Sequence, residues 1–261
     1  CEMCIRDRFL NSGIVDAVII VTPHYDHPEL GMKALQAGLH IMVEKPTGVY
    51  TRAIRKLNQK AAESGLTFCT MYNNRTLPRY RKMKDMIDSG ELGKLTRINF
   101  IATDWYRTQA YYNASAWRGT WSGEGGGVLL NQAVHHIDLL QWLCGMPKRV
   151  RAFCRYGLHH DIEVEDEVTA YLEYSNNASG VFITSTGEAP GTNRLEIAGD
   201  NGRLVMENDA LTFIRTRQPV SKHIKESPNG FEKPEAWSCS IPFSGSESDT
   251  HRPVSYTHLR A

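Results

Sequence analysis

A lysine followed by a proline stands at the end of an apolar segment, a position from which it could exchange a proton with a bound molecule. Lys45 follows residues 40–44 and precedes Pro46. At the carboxyl edge of a sheet a lysine is partly buried, and partial burial lowers the pKa of its ammonium group towards the range in which it transfers protons. An ordinary surface lysine would have the same local sequence. The dipeptide alone leaves both interpretations open.

Thr22 and Pro23 form a second candidate position, because they end the apolar run of residues 16–21. Open α/β sheets bind ligands at the carboxyl ends of their strands, and a backbone that turns there faces the ligand. The other interpretation is that Pro23 only ends a strand while His24 and His27 cap the next helix. Spacing does not decide between the two.

The most informative stretch joins three consecutive glycines to a file of polar residues. Asn131, His135, Asp138 and Trp142 fall on one face of a helix that we predict over residues 127–143. Polar groups in such a file, beside glycines that permit close backbone approach, are typical of the wall of a ligand pocket. A capped amphipathic helix with a satisfied core histidine fits the same pattern equally well.

A phosphate loop and a metal site both fit this sequence poorly. Val128 occupies the position of the third glycine in a G-x-G-x-x-G motif, and no strand directly precedes it. His135 and His136 point to different faces of a helix, while His24 and His27 lack a second pair of ligands. We therefore expect no bound metal.

Composition excludes several classes of partner. Thirty basic residues against twenty-nine acidic ones leave a net charge of +1, so we expect neither nucleic acid nor an anionic membrane as a partner. No apolar stretch is long enough to cross a bilayer and no leader is apparent, so we expect a cytoplasmic protein. The six cysteines are scattered, which favours reduced, mostly buried thiols over disulfides or zinc ligands.

The elements that must position these residues begin with alternating strands and helices. The pattern predicts parallel strands over residues 16–23, 40–44 and 66–70, a helix from Pro28 to the stop at Gly38, and a helix with Thr51 as N-cap and Gly65 at its end. This is the second half of a doubly wound sheet. We assign residues 9–74 to this truncated Rossmann-type domain.

From Arg97 onwards, the sequence pattern changes to longer strands joined by turns. Strands are predicted over residues 97–106, 149–156, 168–174, 180–186, 194–197 and 203–206, with a long loop over 216–234. We assign residues 75–253 to an α+β domain with a large open, mainly antiparallel sheet.

The two ends look foreign to the protein. Residues 3–7 can be encoded by a DNA stretch whose reverse complement encodes residues 254–258, as expected of one DNA element attached in opposite orientations during library preparation. We therefore expect residues 1–8 and 254–261 to be appended sequence.

Taken in order, the motifs resemble the Gfo/Idh/MocA family of oxidoreductases. The resemblance rests on residues 21–27, residues 34–46 with their Glu-Lys-Pro ending, Arg75 before Pro78, residues 90–93, and the Gly-Gly-Gly and His-x-x-Asp elements of residues 125–138. It implies a Rossmann domain for NAD or NADP and a sugar or polyol substrate. It also implies a homo-oligomer, because the open sheet of this family often mediates one.

The resemblance also implies roles for individual residues. Lys45 would hydrogen-bond the reacting hydroxyl or carbonyl, His135 would act as acid or base, and Asn131 would share this catalytic site. The residues expected at the cofactor are Thr22, Pro23, His24, His27, Glu44, Lys45, Pro46, Trp117 and Arg118. The residues expected at the substrate are Asn74, Arg75, Asn131, His135 and Asp138.

Two features depart from the family pattern. The family's first strand, its glycine-rich loop and the residue that selects NAD or NADP precede the motifs found here, so we expect cofactor preference to lie outside this sequence. The family commonly has aspartate where this chain has Asn131, and an amide cannot take up a proton.

The function predicted from the sequence is hydride transfer between a nicotinamide and a secondary alcohol or carbonyl of a sugar, polyol or sugar derivative. Reduction of the carbonyl is the alternative direction. A non-catalytic cofactor-binding regulator or interaction module is the rival, because one fold hosts many functions.

Overall fold

The computed structural model describes the backbone of residues 2–243 and the side chains from Ile5 onwards. The segment 254–261, predicted to be appended, lies outside these residues. Residues 2–8, which share that prediction, lie in the helix α1 (Glu2–Leu10). None of the helices in the described part of the chain is long and apolar enough to cross a membrane.

Two compact units divide the described residues, and neither is continuous in sequence. The first contains the residues up to Tyr72 together with Thr108–Val134 and Tyr156–Glu165. The second contains Asn73–Arg107, His135–Arg155 and the described residues from Asp166 onwards. The domain boundary that the sequence predicts between residues 74 and 75 stays a prediction.

The first unit contains a three-stranded parallel sheet. Its strands lie in the order β1, β2, β3, and the elements are β1 (Ala17–Ile20), α2 (His27–Gln36), β2 (His40–Val43), α3 (Thr51–Ser64) and β3 (Phe68–Thr70). Apolar residues from both strands and helices form its core, among them Leu35, Val43 and Leu57, which are buried. Burying each such side chain stabilises the unit by roughly 1.5–3 kcal/mol.

The boundaries of α3 test two sequence predictions. Gly65 ends the helix in the left-handed conformation at φ 68°, as predicted. The predicted N-cap was wrong, because Tyr50 is the capping residue and Thr51 is already helical, and no side chain caps the helix.

The second unit contains an eight-stranded sheet in the order β11, β10, β9, β8, β4, β7, β6, β5. The strands are β4 (Leu95–Ala102), β5 (Arg149–Tyr156), β6 (Glu165–Glu173), β7 (Ser179–Ser185), β8 (Asn193–Gly199), β9 (Gly202–Glu207), β10 (Ala210–Thr216) and β11 (Ala236–Ser240). The pairing of β4 with β7 is parallel, and the other pairings described are antiparallel. The predicted fold class, a Rossmann-like sheet followed by a large mainly antiparallel sheet, is confirmed.

Four further helices are α4 (Pro78–Asp88), α5 (Gln109–Asn113), α6 (Val134–Cys144) and α7 (Val220–Glu226). The predicted loop over 216–234 was wrong in part, because α7 lies inside it. The predicted helix over 127–143 begins only at Val134, and the backbone N–H groups of residues 127–129 bind Glu165. Asn131 therefore precedes the helix that carries His135 and Asp138.

Candidate active site

Lys45 lies two residues beyond β2, at the carboxyl edge of the parallel sheet. Its ammonium Nζ donates hydrogen bonds to the backbone oxygen and to the side-chain Oδ1 of Asn131, both at 2.9 Å. Its backbone N–H donates to Oε2 of Glu44 at 3.1 Å. The side chain is half-buried. Lys45 and Asn131, predicted to share a site, are in direct contact.

A glutamate that sequence reasoning missed completes this pair. The amide Nδ2 of Asn131 donates to Oε1 of Glu124, and the backbone N–H of Gly119 donates to Oε2 of Glu124 at 2.8 Å. Glu124 is only 1% exposed. The available signal in the sequence was the position of a charged residue between two glycines. If such a residue is buried it must have partners, because charged side chains are almost never buried without them.

A second buried carboxylate shapes the chain just before Asn131. Oε1 of Glu165 accepts hydrogen bonds from the backbone N–H groups of Gly127 at 3.0 Å and of Leu129 at 3.1 Å. Burial raises the pKa of Glu165, and the charge of Glu124 adds to this, while the hydrogen bonds lower it. A Cβ at Gly127 would lie 1.9 Å from the backbone oxygen of Glu165. Position 127 therefore requires glycine, because the backbone of Glu165 lies too close for any side chain.

His27 ties together the turns that follow β1 and β2. Its Nε2 lies 2.6 Å from the backbone oxygen of Thr22, and its Nδ1 lies 2.7 Å from that of Pro46. The ring is 0% exposed. Among the described residues, the buried Oγ1 of Thr22 has no hydrogen-bond partner. A polar atom is therefore left for a bound molecule at the edge where α/β sheets take their ligands.

His24 and the Trp117–Arg118 pair lie on the same unit. Nδ1 of His24 lies 3.0 Å from the backbone oxygen of Glu124, and the ring meets Trp117 edge-on at 5.8 Å. Burial lowers the pKa of His24, and the positive charge of Lys45 lowers it further. The neutral ring donates from Nδ1 to that carbonyl, which leaves Nε2 as an acceptor. The guanidinium of Arg118 lies over the rings of Trp117 at 4.5 Å and Tyr111 at 4.4 Å.

The other predicted site residues belong to the second unit. The guanidinium of Arg75 donates twice to Asp138, at 2.7 Å to Oδ2 and 2.5 Å to Oδ1. The ring of His135 stacks on Trp105 at 6.4 Å. Asn74 lies in a short 3₁₀ turn, Asn73–Thr76. Their placement around Lys45 stays a prediction, as do their roles.

Two other histidines, His136 and His160, are buried against aromatic rings. His136 is buried against Phe100, with ring centroids 5.2 Å apart, and burial lowers its pKa to about 4. His160 is buried against Tyr112, with ring centroids 4.8 Å apart. Within the described residues, no group of three or more His, Cys, Asp or Glu side chains is placed to hold a metal ion.

Two family models match most of the chain. Residues 6–72 match an oxidoreductase family with an NAD-binding Rossmann fold. Residues 80–205 match the GFO/IDH/MocA C-terminal domain.

Curated relatives and solved structures agree with these matches. The chain is 26% identical to 1,5-anhydro-D-fructose reductase of Ensifer adhaerens, covering 79% of the chain and 60% of the relative. It is 26% identical to scyllo-inositol 2-dehydrogenase (NAD(+)) of Bacillus subtilis, covering 73% and 54%. The WlbA dehydrogenase of Bordetella pertussis, solved with NADH and UDP-GlcNAcA, superposes with a TM-score of 0.72 at 29% identity, over 78% of this chain and 63% of that one. The chain thus spans less than two thirds of the length of each of these proteins.

Proposed function

Because the chain belongs to the Gfo/Idh/MocA family of oxidoreductases, we propose that the protein oxidises a secondary alcohol of a sugar, polyol or sugar derivative with a nicotinamide cofactor. The observation that carries the proposal is the half-buried ammonium of Lys45, held 2.9 Å from two oxygens of Asn131 at the carboxyl edge of the parallel sheet. Two relatives named for sugar or polyol substrates support the substrate class.

The residues after β1 and β2 fit such a cofactor. Thr22 offers a buried hydroxyl that has no hydrogen-bond partner among the described residues, and His27 fixes the turns on which the Thr22 and Pro46 oxygens lie. When bound, NAD or NADP would accept the hydride that the substrate carbon releases. The residues proposed to hold it are Thr22, Pro23, His24, His27, Glu44, Lys45, Pro46, Trp117 and Arg118.

The chain's own residues would handle the proton and the orientation of the substrate. Lys45 donates a hydrogen bond to the reacting oxygen, because its ammonium is a donor and Asn131 holds it at the carboxyl edge of the sheet. His135 accepts the hydroxyl proton as the alcohol becomes a carbonyl. Asn74 and the Arg75–Asp138 pair bind substrate hydroxyls.

The test of this proposal replaces Lys45 by methionine, in a protein of the relatives' full length that carries this segment. We expect turnover of a sugar and polyol panel to fall about 10²–10⁴-fold, because the group that contacts the reacting oxygen is lost while the chain keeps its apolar stem. Lys56→Met, at an exposed lysine of α3, is the matched control. Normal turnover in the Lys45 variant would exclude a catalytic role for this lysine.

A cofactor-binding regulator on the same fold is the second candidate, and the same panel separates it from an enzyme. A regulator binds NAD or NADP without turning over any sugar, because it has no need of a proton-transferring lysine. The working direction, assembly into a homo-oligomer and residence in the cytoplasm likewise stay predictions.

A further inference from the structure

The buried Glu124–Asn131 pair contacts Lys45 through Asn131. The direction of the hydrogen bond within the pair decides which atom of Asn131 faces Lys45. We propose that Glu124 is a positioning residue, which fixes the amide of Asn131 so that Oδ1 faces the ammonium of Lys45. The inference rests on the proposed function only in so far as Lys45 is a reacting group.

Donors and acceptors around the pair allow one arrangement. Both oxygens of Glu124 receive N–H donors, one from the Asn131 amide and one from the backbone of Gly119. A carboxylate only accepts, so Asn131 must present its Nδ2 to Glu124 and its Oδ1 to Lys45. A flipped amide would place oxygen against oxygen at Glu124 and N–H against ammonium at Lys45. Each contact would be repulsive in a buried place.

Charge gives the pair a second effect on Lys45. The two Asn131 oxygens that accept from Nζ are neutral, whereas the carboxylate of Glu124 lies on the far side of the same amide. Glu124 is 1% exposed, so solvent screens its charge little. A buried negative charge at this position favours the protonated ammonium of Lys45.

A reversed pair tests the polarity directly. Glu124→Gln alone provides one acceptor for two donors, and Asn131→Asp alone sets two carboxylates against each other. Combined, the introduced glutamine accepts from Gly119 and donates to the introduced aspartate, whose other oxygen accepts from Lys45. The double variant keeps the net charge and satisfies every partner, with the central hydrogen bond reversed.

The first measurement is a double-mutant cycle by urea unfolding of the 261-residue chain, which needs no turnover. We expect each single variant to be less stable than the parent, and the double variant to recover, with a coupling of about tenfold or more in the unfolding equilibrium constant. Additive effects, or a double variant weaker than both singles, would overturn the proposal.

The second measurement follows the reactivity of Lys45 Nζ towards an amine-acylating reagent across pH, read by mass spectrometry of the peptide that contains it. Glu124→Gln should shift its labelling midpoint to lower pH, and the reversed pair should raise it again to the parent's value or above, because the introduced aspartate contacts the ammonium directly. Lys56, labelled in the same sample, should not change. An unchanged midpoint at Lys45 would contradict the role of Glu124, even if folding were weakened.

These readouts separate the two hypotheses. If Lys45→Met leaves turnover intact while the cycle shows coupling, the proposed function fails and the positioning of Lys45 by Glu124 stands. If Lys45→Met abolishes turnover while no coupling appears, the proposed function stands and the positioning of Lys45 by Glu124 fails.

Discussion

The adjacent histidines His135 and His136 differ in their surroundings although they share one helix. His136 is 3% exposed and packs against Phe100, whereas His135 is half-buried and stacks on Trp105. Among the described residues, Nδ1 of His136 has no hydrogen-bond partner. The two rings therefore respond to protons in different ways.

His136 should make the protein sensitive to acid. Burial lowers its pKa from 6.5 to about 4, so between these values the unfolded chain binds a proton that the folded chain does not. The contribution of neutral His136 to the free energy of unfolding is therefore complete above pH 6.5. It is lost as pH falls towards 4, by about 3 kcal/mol in all. His136→Leu should remove most of this loss, measured as the free energy of urea unfolding between pH 4 and 7. His159→Gln, at an exposed ring, should leave the slope unchanged.

His135 should control the pH dependence of the proposed reaction. If it takes the hydroxyl proton, the rate of alcohol oxidation rises with pH as the ring loses its proton, because only the neutral ring accepts a proton. His135→Asn should abolish that limb in a profile of kcat/KM, with a deuterated substrate used to confirm that chemistry limits the rate. If the limb persists in this variant, another group is the base.

At the scale of the element, the segment from Gly127 to Asn131 depends on one glycine. A Cβ at Gly127 would lie 1.9 Å from the oxygen of Glu165, so Gly127→Ala must displace the backbone. We expect a loss of about 1–3 kcal/mol in unfolding free energy, with a fall in turnover as Asn131 moves away from Lys45. Gly230→Ala, where a Cβ meets nothing within 4 Å, is the control. Equal stability of the two variants would contradict this reading.

Sequence patterns located most elements because each element is largely a local property. The β-branched run that ends in β1 and the helix that ends at Gly65 both follow from short-range preferences. The start of α6 could not be predicted, because the segment before it is bound by Glu165, which lies 38 residues from Gly127 in the sequence. Glu124 was missed although its side-chain partners, Gly119 and Asn131, lie only five and seven residues away, because the local sequence does not show that its side chain is buried.

At the scale of the whole molecule, the eight-stranded sheet carries exposed apolar side chains. Tyr171 on β6 is 46% exposed and pairs across the sheet with Val181 on β7, while Phe153 is exposed on the edge strand β5. Apolar side chains exposed on a sheet become covered when a second copy packs against that sheet. They support the proposed homo-oligomer, with a second copy of the chain as the partner.

Tyr171→Lys should therefore weaken self-association, because it puts a charge into a surface that the proposed contact would bury. We expect the parent to sediment as an oligomer and the variant to shift towards the monomer in analytical ultracentrifugation. Phe231→Lys, at a fully exposed loop aromatic, should leave the distribution unchanged. A parent that sediments as a monomer at all concentrations would reject the homo-oligomer.

The order of sheets along the chain was predictable at this scale, whereas the composition of the compact units was not. Residues 108–134 and 156–165 join the unit that begins the chain, although they lie between strands of the other sheet. Contacts such as that of Lys45 with Asn131, 86 residues apart, hold the first unit together. Local periodicity contains no information about such pairs.

The ring of His27 lies between two backbone carbonyls, and a carbonyl can only accept a hydrogen bond. A neutral imidazole has one N–H, so it satisfies either Thr22 or Pro46, whereas a doubly protonated ring satisfies both. One buried ring therefore joins the turns after β1 and β2 at the candidate cofactor site, and the position of its proton decides which of the two turns receives a hydrogen bond.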